Sequence, residues 1–426
     1  MSAYSSGKLK GPPLAKLNSH LWLKLFALGS LTLASMWPAA MSLVSTQKTN
    51  YFNINEPRIA AVISDSVAAH SFPETIQIPG LDIDGDLTVE YTIDSALQQE
   101  AQRLLAKHNP DYGVLVAIDP ETGRVLAMAD STRDGKNHGN LSVVNTYPAA
   151  SISKIVTAVA VMDQGEADIG TIIPYNGKAT TLYKKNVFEH SNNKWTRKPT
   201  LRESFAKSIN TVFGRLGAVE IGGETLRDYF YRMGFNARFA SDFEFDNGTI
   251  DMKVEDPWQV AESASGYTRR NTLSPLHAAV LAATAINGGN LVAPVLVSRI
   301  TGPFGIPLYV HDEPAVSSAM NAETASKLAR MMQATVSNGS ARKSFRRFHR
   351  GHLKQVKVGG KTGSLTGLKP KGRYDWFVGF GELGDRKIAY AVLCINKEKW
   401  YVKSTQLARE LLEYYFQPGD RSELQG

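Results

Sequence analysis

With 426 residues the chain could hold two or three average domains, or one large catalytic domain with an anchor. Its net charge is +8, but no acid occurs before Glu56 and the acid-free N-terminal segment supplies much of the excess, so a nucleic-acid-binding face is not implied. Cys394 is the only cysteine, which excludes an intrachain disulfide, and the nine histidines show no His-x-x-x-His or Cys-His grouping, so neither a metal nor another cofactor is expected.

Residues 1–24 read as a basic tail carrying Lys8, Lys10, Lys16 and Lys24. The apolar run 25–44 is twenty residues long, about the span of a bilayer-crossing helix, and has no amphipathic period. A transmembrane anchor over 25–45 follows, with the lysines placing its start in the cytoplasm and the rest of the chain outside. Ala40-Met41-Ser42 is a passable cleavage site, but the run exceeds the ~7 to 15 residues of a signal-peptide core, so an uncleaved anchor is the preferred reading. Residues 46–86, with Pro57, Pro73 and Pro79, are expected to form an extended stalk with little core of its own. They are too few for a second domain.

The main domain is expected over 87–418, followed by a tail at 419–426. A helix is predicted at 95–108, strands at 112–118 and 124–129, and a helical insert over about 151–287. Three more strands are predicted at 356–360, 374–380 and 387–395, then a helix at 405–416. The resulting class is α+β, with a five-stranded antiparallel sheet built from both chain ends, flanking helices and a helical subdomain.

Three short motifs occur in one order along this frame. Ser-x-x-Lys appears six times, so alone it carries little, but at Ser151-Ile152-Ser153-Lys154 an apolar run follows. That context predicts a helix opened by Ser151, with Lys154 one turn on and on the same face, where burial would lower its pKa and let it act as a base. Read alone, Ser151 is more simply a capping serine. Ser-x-Asn occurs twice. Ser191-Asn192-Asn193 lies in a polar loop, whereas Ser208-Ile209-Asn210 joins two amphipathic segments and could aim both side chains at one cavity, a capping serine being the alternative. Lys361-Thr362-Gly363-Ser364 occurs once, after a strand whose glycines allow close backbone approach. Such a strand could pair with an extended peptide and hold its carboxylate, or be a plain exposed basic strand.

With these motifs the chain resembles the penicillin-binding proteins, whose transpeptidase domain is a penicillin-recognising serine acyltransferase. Leu87 to Gln98, Ala117 to Met128 and Trp376-Phe377-Val378-Gly379-Phe380 extend the resemblance, which spans roughly 87–418. It departs at 264–275, where the family often carries a Gly-Gln-Gly-like turn.

The resemblance implies a monofunctional peptidoglycan D,D-transpeptidase with Ser151 as nucleophile and Lys154 as its base. Ser208 would relay a proton to the departing D-alanine, and Asn210 would orient Lys154 and bind the substrate amide. Lys361, Thr362 and Ser364 would hold the terminal carboxylate, with Gly363 between them. The backbone N–H groups of Ser151 and Ser364 would form the oxyanion hole. The implied partners are peptidoglycan stem peptides, β-lactams as covalent inhibitors and a glycosyltransferase, with no nucleic acid. A D,D-carboxypeptidase or β-lactamase using the same acyl-enzyme, and a non-enzymatic β-lactam sensor or scaffold, are the alternatives. The densest basic cluster, Lys343, Arg346, Arg347, His349 and Arg350, with Lys354 and Lys357 after it, reads as a solvated loop or as a surface for an anionic wall polymer or lipid headgroups.

Overall fold

A computed structural model describes residues 54–418 apart from 82, 84, 190, 191 and 313. The expected basic tail 1–24, anchor 25–45, outermost stalk residues 46–53 and tail 419–426 lie outside the described residues. Among the described residues no helix is long and apolar enough to cross a membrane.

Strands β1 (Thr75–Ile76), β2 (Leu87–Tyr91), β3 (Tyr112–Ile118) and β4 (Val125–Thr132) precede a helical region. After it come β5 (Asn290–Val292), β6 (Val297–Thr301), β7 (Pro307–Val310) and β8 (Val316–Ser318), and then β9 (Lys357–Leu368), β10 (Lys371–Leu383) and β11 (Arg386–Asn396). The central sheet has the order β4-β3-β11-β10-β9 and is antiparallel throughout. It is assembled from both chain ends, and β9 is an edge strand.

The period of two explains why β3 and β11 read as unbroken apolar runs. Val114, Val116 and Ile118 with Leu393 and Ile395 face the cluster that holds the helix Pro275–Ala283. Leu115 and Ala117 with Val392 and Cys394 face the opposite cluster, under the helices Ser95–His108 and Ser404–Tyr415. A sheet covered on both faces has no solvent side, so no alternation survives in the sequence.

Two further sheets lie beside this one, β1-β2-β6-β7 and the pair β5-β8. Their strands have two to five residues, too few to set up a readable alternation. The helix Pro275–Ala283 closes the helical region, and turns carry the chain on to Gly289.

The expected extended stalk is corrected over its described part. Glu56–Ala68 is a helix, capped by Asn55, whose side chain accepts from Arg58 N at 3.2 Å. Ile59, Ile63 and Val67, spaced four residues apart, form a stripe that is wholly buried in the main core, and Ile76 and Ile78 add to it. Pro57 suggested a non-helical chain, yet it sits in the first turn, where a missing N–H costs nothing.

Candidate active site

Ser151 does not open an α-helix. It lies in a tight 3₁₀ turn, Ala150–Ser153, and the α-helix Lys154–Asp163 begins only at the lysine. The turn is entered through Ala150 at φ 47°, a left-handed conformation that costs an L-residue about 1–2 kcal/mol. Neighbours hold it from two sides. Trp376 Nε1 on β10 donates to Pro148 O at 3.0 Å, and Ala149 N donates to Asn271 O at 2.9 Å. Gly266, the left-handed cap of the helix Pro257–Ser265, lies so close that a Cβ there would stand 1.7 Å from Ala150 O. This glycine belongs to the stretch where the sequence departs from the family's usual turn, and it allows the close approach to the turn that holds Ser151.

Lys154 is fully buried. Its Nζ lies 2.8 Å from Ser151 Oγ, 2.8 Å from Asn210 Oδ1 and 2.5 Å from Ser265 O. Burial, reinforced by the nearby Lys361 charge, holds the amine well below the ordinary lysine value of 10.5. A neutral amine has two N–H bonds and one lone pair. Asn210 Oδ1 and Ser265 O can only accept, so they take both N–H bonds and leave the lone pair toward Ser151 Oγ. The hydroxyl then donates to the amine, the arrangement a general base requires. Asn210 is fixed in turn because its Nδ2 donates to Thr180 O at 3.0 Å and its own N donates to Ala179 O at 2.8 Å.

Ser208 and Lys361 form a second polar group. Ser208 sits at φ 55° between the helices Leu201–Ala206 and Asn210–Arg215, the turn that the sequence placed between two amphipathic segments. Lys361 Nζ donates to Ser208 Oγ at 2.8 Å and to Thr362 O at 2.9 Å. Lys361 is also fully buried, and burial brings it down to about 7. Repulsion between the two ammonium groups is mutual, so it disfavours the state in which both lysines are charged. Two aromatic rings line the lysines: Phe213 has its centroid 5.8 Å from Lys154 Nζ, Phe205 lies 5.4 Å from Lys361 Nζ, and the two rings are 6.1 Å apart.

The Lys-Thr-Gly-Ser motif lies in the middle of β9, with Lys361 opposite Val378 and Ser364 opposite Asp375. Gly363 is where the strand meets the Ser151 turn, since a Cβ there would stand 3.3 Å from Ile152. Thr366 O accepts from Arg269 Nε at 2.7 Å, so that carbonyl points off the ladder toward the free edge of β9. By the alternation of an antiparallel strand, Thr362 and Ser364 turn their backbone groups to the same edge. The Ser364 N–H is thus open to a ligand. Thr362 Oγ1 lies 2.6 Å from Ser340 Oγ in the turn Gly339-Ser340-Ala341, and Ser364 Oγ accepts from Arg373 Nε at 3.3 Å.

The structure therefore brings all eight residues singled out by sequence to one crevice between β9 and the helical subdomain. It adds Ser265, Gly266, Phe205, Phe213, Ser340 and Arg269, which sequence reasoning did not assign to the site. Ser265 acts through a carbonyl that every residue has, so its type carried no signal. Ser191 of the other Ser-x-Asn copy lies outside the described residues. A cavity of about 560 Å³ lined by Phe72, Tyr91, Gln102 and the His70–Asp130 pair contains none of these groups, so hydrogen bonding defines this site better than volume does.

Fold and site together define a serine acyltransferase architecture. Residues 113–413 match the family model for the penicillin-binding protein transpeptidase domain, and the chain belongs to that family. Among curated proteins it is 26% identical over 345 residues to the peptidoglycan D,D-transpeptidase PbpA of Mycobacterium tuberculosis, covering 72% of this chain and 67% of that protein. It is 24% identical over 338 residues to the stage V sporulation protein D of Bacillus subtilis, covering 74% of this chain but only 50% of that one. The fold is shared with the ceftriaxone acyl-enzyme complex of penicillin-binding protein A from M. tuberculosis, at a TM-score of 0.63 and 22% identity over 78% of this chain and 80% of that one. It is shared equally with the D,D-transpeptidase domain of a peptidoglycan glycosyltransferase from Eggerthella lenta, at a TM-score of 0.64 and 22% identity over 84% and 90% of the two chains.

Proposed function

We propose that this chain is a peptidoglycan D,D-transpeptidase that works through an acyl-enzyme on Ser151. The observation that carries the reading is the Lys154 amine, whose two N–H bonds are committed to Asn210 Oδ1 and Ser265 O so that its lone pair meets Ser151 Oγ. As Ser151 Oγ attacks the penultimate D-alanine carbonyl of a stem peptide, its proton passes to Lys154 Nζ. The oxygen that gains charge is held by the N–H groups of Ser151 and Ser364, a kind of contact worth roughly 2.7–4 kcal/mol per donor in other hydrolases. Collapse breaks the peptide bond; Ser208, hydrogen-bonded to Lys361, delivers a proton to the leaving D-alanine nitrogen, and the proton that Lys154 took from Ser151 replaces it, so Lys154 is neutral again in the acyl-enzyme. An amine of a second stem peptide then attacks the ester, forms the cross-link and returns the proton to Ser151.

Asn210 keeps one Nδ2–H beyond its bond to Thr180, enough to meet a substrate amide carbonyl. Lys361, Thr362 and Ser364 supply the cationic and hydroxyl groups for the terminal carboxylate, and β-lactams would acylate the same serine. The same reading makes 25–45 a membrane anchor with the catalytic domain on the extracytoplasmic side, supported by the apolar run and the lysines before it. A separate glycosyltransferase would supply the strands to be joined.

Intact-mass measurement after penicillin exposure tests the assignment. One covalent adduct is expected on the parent and none on Ser151→Ala; an adduct kept by the variant contradicts it. With a stem-peptide donor and an amine acceptor, cross-linked dimer is expected, and release of D-alanine without dimer would make the enzyme a hydrolase.

A further inference from the structure

The positive charge of the chain is concentrated in two places. Five lysines lie before Ile54, and seven Lys and Arg residues lie within 342–357, a stretch with no Asp or Glu, so the rest of the chain is net acidic. In the structure this second group is a fixed surface. Phe345, Phe348, Leu353 and Val356 are buried in the core behind the sheet, and Ser344 Oγ lies 2.7 Å from Thr405 Oγ1. The cations between these anchors are exposed. Lys357 meets Glu382 at 3.4 Å, but among the described residues no ion pair involves Arg342, Lys343, Arg346, Arg347, Arg350 or Lys354. Six like charges displayed on a fixed scaffold repel one another, and a repeating anion relieves that repulsion.

The surface adjoins the crevice at both of its ends. The turn just before Arg342 contains Ser340, whose Oγ touches Thr362 Oγ1 and whose N donates to Ala206 O at 2.9 Å, beside the Ser208 turn. The far end runs into β9 at Lys357, four residues before Lys361 and about 13 Å along the strand. A polymer delivering a side branch into the crevice could thus lie across this surface at the same time.

We propose that the 342–357 surface is a docking site for the carboxylate-bearing peptidoglycan strand itself, holding the polymer by its anionic stem peptides while one stem enters the crevice. This rests on the transpeptidase reading. A lipid surface is the less favoured occupant. The side chains that would insert, Phe345 and Phe348, are buried.

The test uses the full chain in neutral-lipid nanodiscs and peptidoglycan purified free of phosphate polymers, with Arg346→Glu, Arg347→Glu and Arg350→Glu combined. Co-sedimentation with peptidoglycan should weaken with salt in the parent and fall about tenfold or more in the variant. Turnover of polymeric donor should fall with it, while turnover of a soluble stem peptide and the rate of penicillin acylation stay within twofold. Equal peptidoglycan binding by parent and variant would overturn the proposal. So would a preference of the parent for anionic over neutral vesicles that the variant loses. If acylation itself fails in the parent, the transpeptidase reading falls; if only polymer binding is unaffected, this inference alone falls. Should the triple variant lose acylation, Arg346→Gln with Arg350→Gln repeats the test at smaller charge change, and unchanged peptidoglycan binding there overturns the proposal equally.

Discussion

The crevice and the neighbouring basic surface use the same kinds of side chain for opposite purposes. Lys154 and Lys361 have no exposed surface and are driven toward the neutral amine, whereas Lys354, seven residues before Lys361, stands in solvent. Nothing in a lysine's covalent structure distinguishes a base from a solubilising charge. What differs is the supply of water and of fixed acceptors around the nitrogen. At Lys154 two carbonyl oxygens replace water and decide where the lone pair points.

The sharpest way to break this contrast is to remove each amine. Lys154→Met should lower the second-order rate constant of penicillin acylation by about 10²–10⁴-fold, the usual contribution of a positioned general base. Lys354→Met should leave it within twofold, and similar effects at both positions would end the comparison. A substitution that touches no charge comes next. Gly266→Ala would force a methyl group against Ala150 O at φ +67°, with an expected loss of about 2–4 kcal/mol in denaturant unfolding and slower acylation through the displaced Ser151 turn. Normal stability and acylation in this variant would show that the turn does not depend on that close approach.

The pH dependence of stability sharpens the comparison further. Lys361 in the folded chain is depressed to about 7 from 10.5, so between these values the unfolded chain holds a proton that the folded one lacks. Its contribution to stability is therefore complete above the unfolded value, declines as pH falls through that window and is lost near pH 7. Relative to Lys361→Met, the parent should gain stability as pH rises from about 7, by at most ~1.4 kcal/mol per pH unit. A parent-minus-variant difference that stays flat between about pH 7 and 10 would contradict the role of burial at Lys361. The smallest effect is expected at Thr200, whose side chain and that of Glu203 form a capping box on the helix leading to Ser208. Thr200→Ala should cost about 1 kcal/mol in unfolding with acylation nearly unchanged.

Much of this molecule was legible before folding was considered. The helix at 95–108 and the core of the central strands follow from apolar runs between turn residues; the antiparallel central sheet forms, although β9 runs on through the Lys-Thr-Gly-Ser motif to Leu368 rather than ending before it. The helix at Glu56–Ala68 was missed because Pro57 and the prolines beyond the helix were weighed above the Ile59, Ile63 and Val67 stripe at every fourth position. The two smaller sheets were missed because their strands are too short to carry a pattern. That the Ser340 hydroxyl reaches Thr362 carried no local signal.

Sequence by itself determined which residue types the site has and their order: a serine with a lysine one turn on, a Ser-x-Asn turn and a Lys-Thr-Gly-Ser strand. Those features are local, set by spacing along a helix, a turn and a strand. Only the tertiary structure decided that Lys154 is dry, that Ser265 lends it a carbonyl, that Gly266 presses on the turn before Ser151, and that Ser364 turns its N–H to an open edge. Burial and backbone direction depend on what packs from distant parts of the chain, and no single segment encodes its own neighbours.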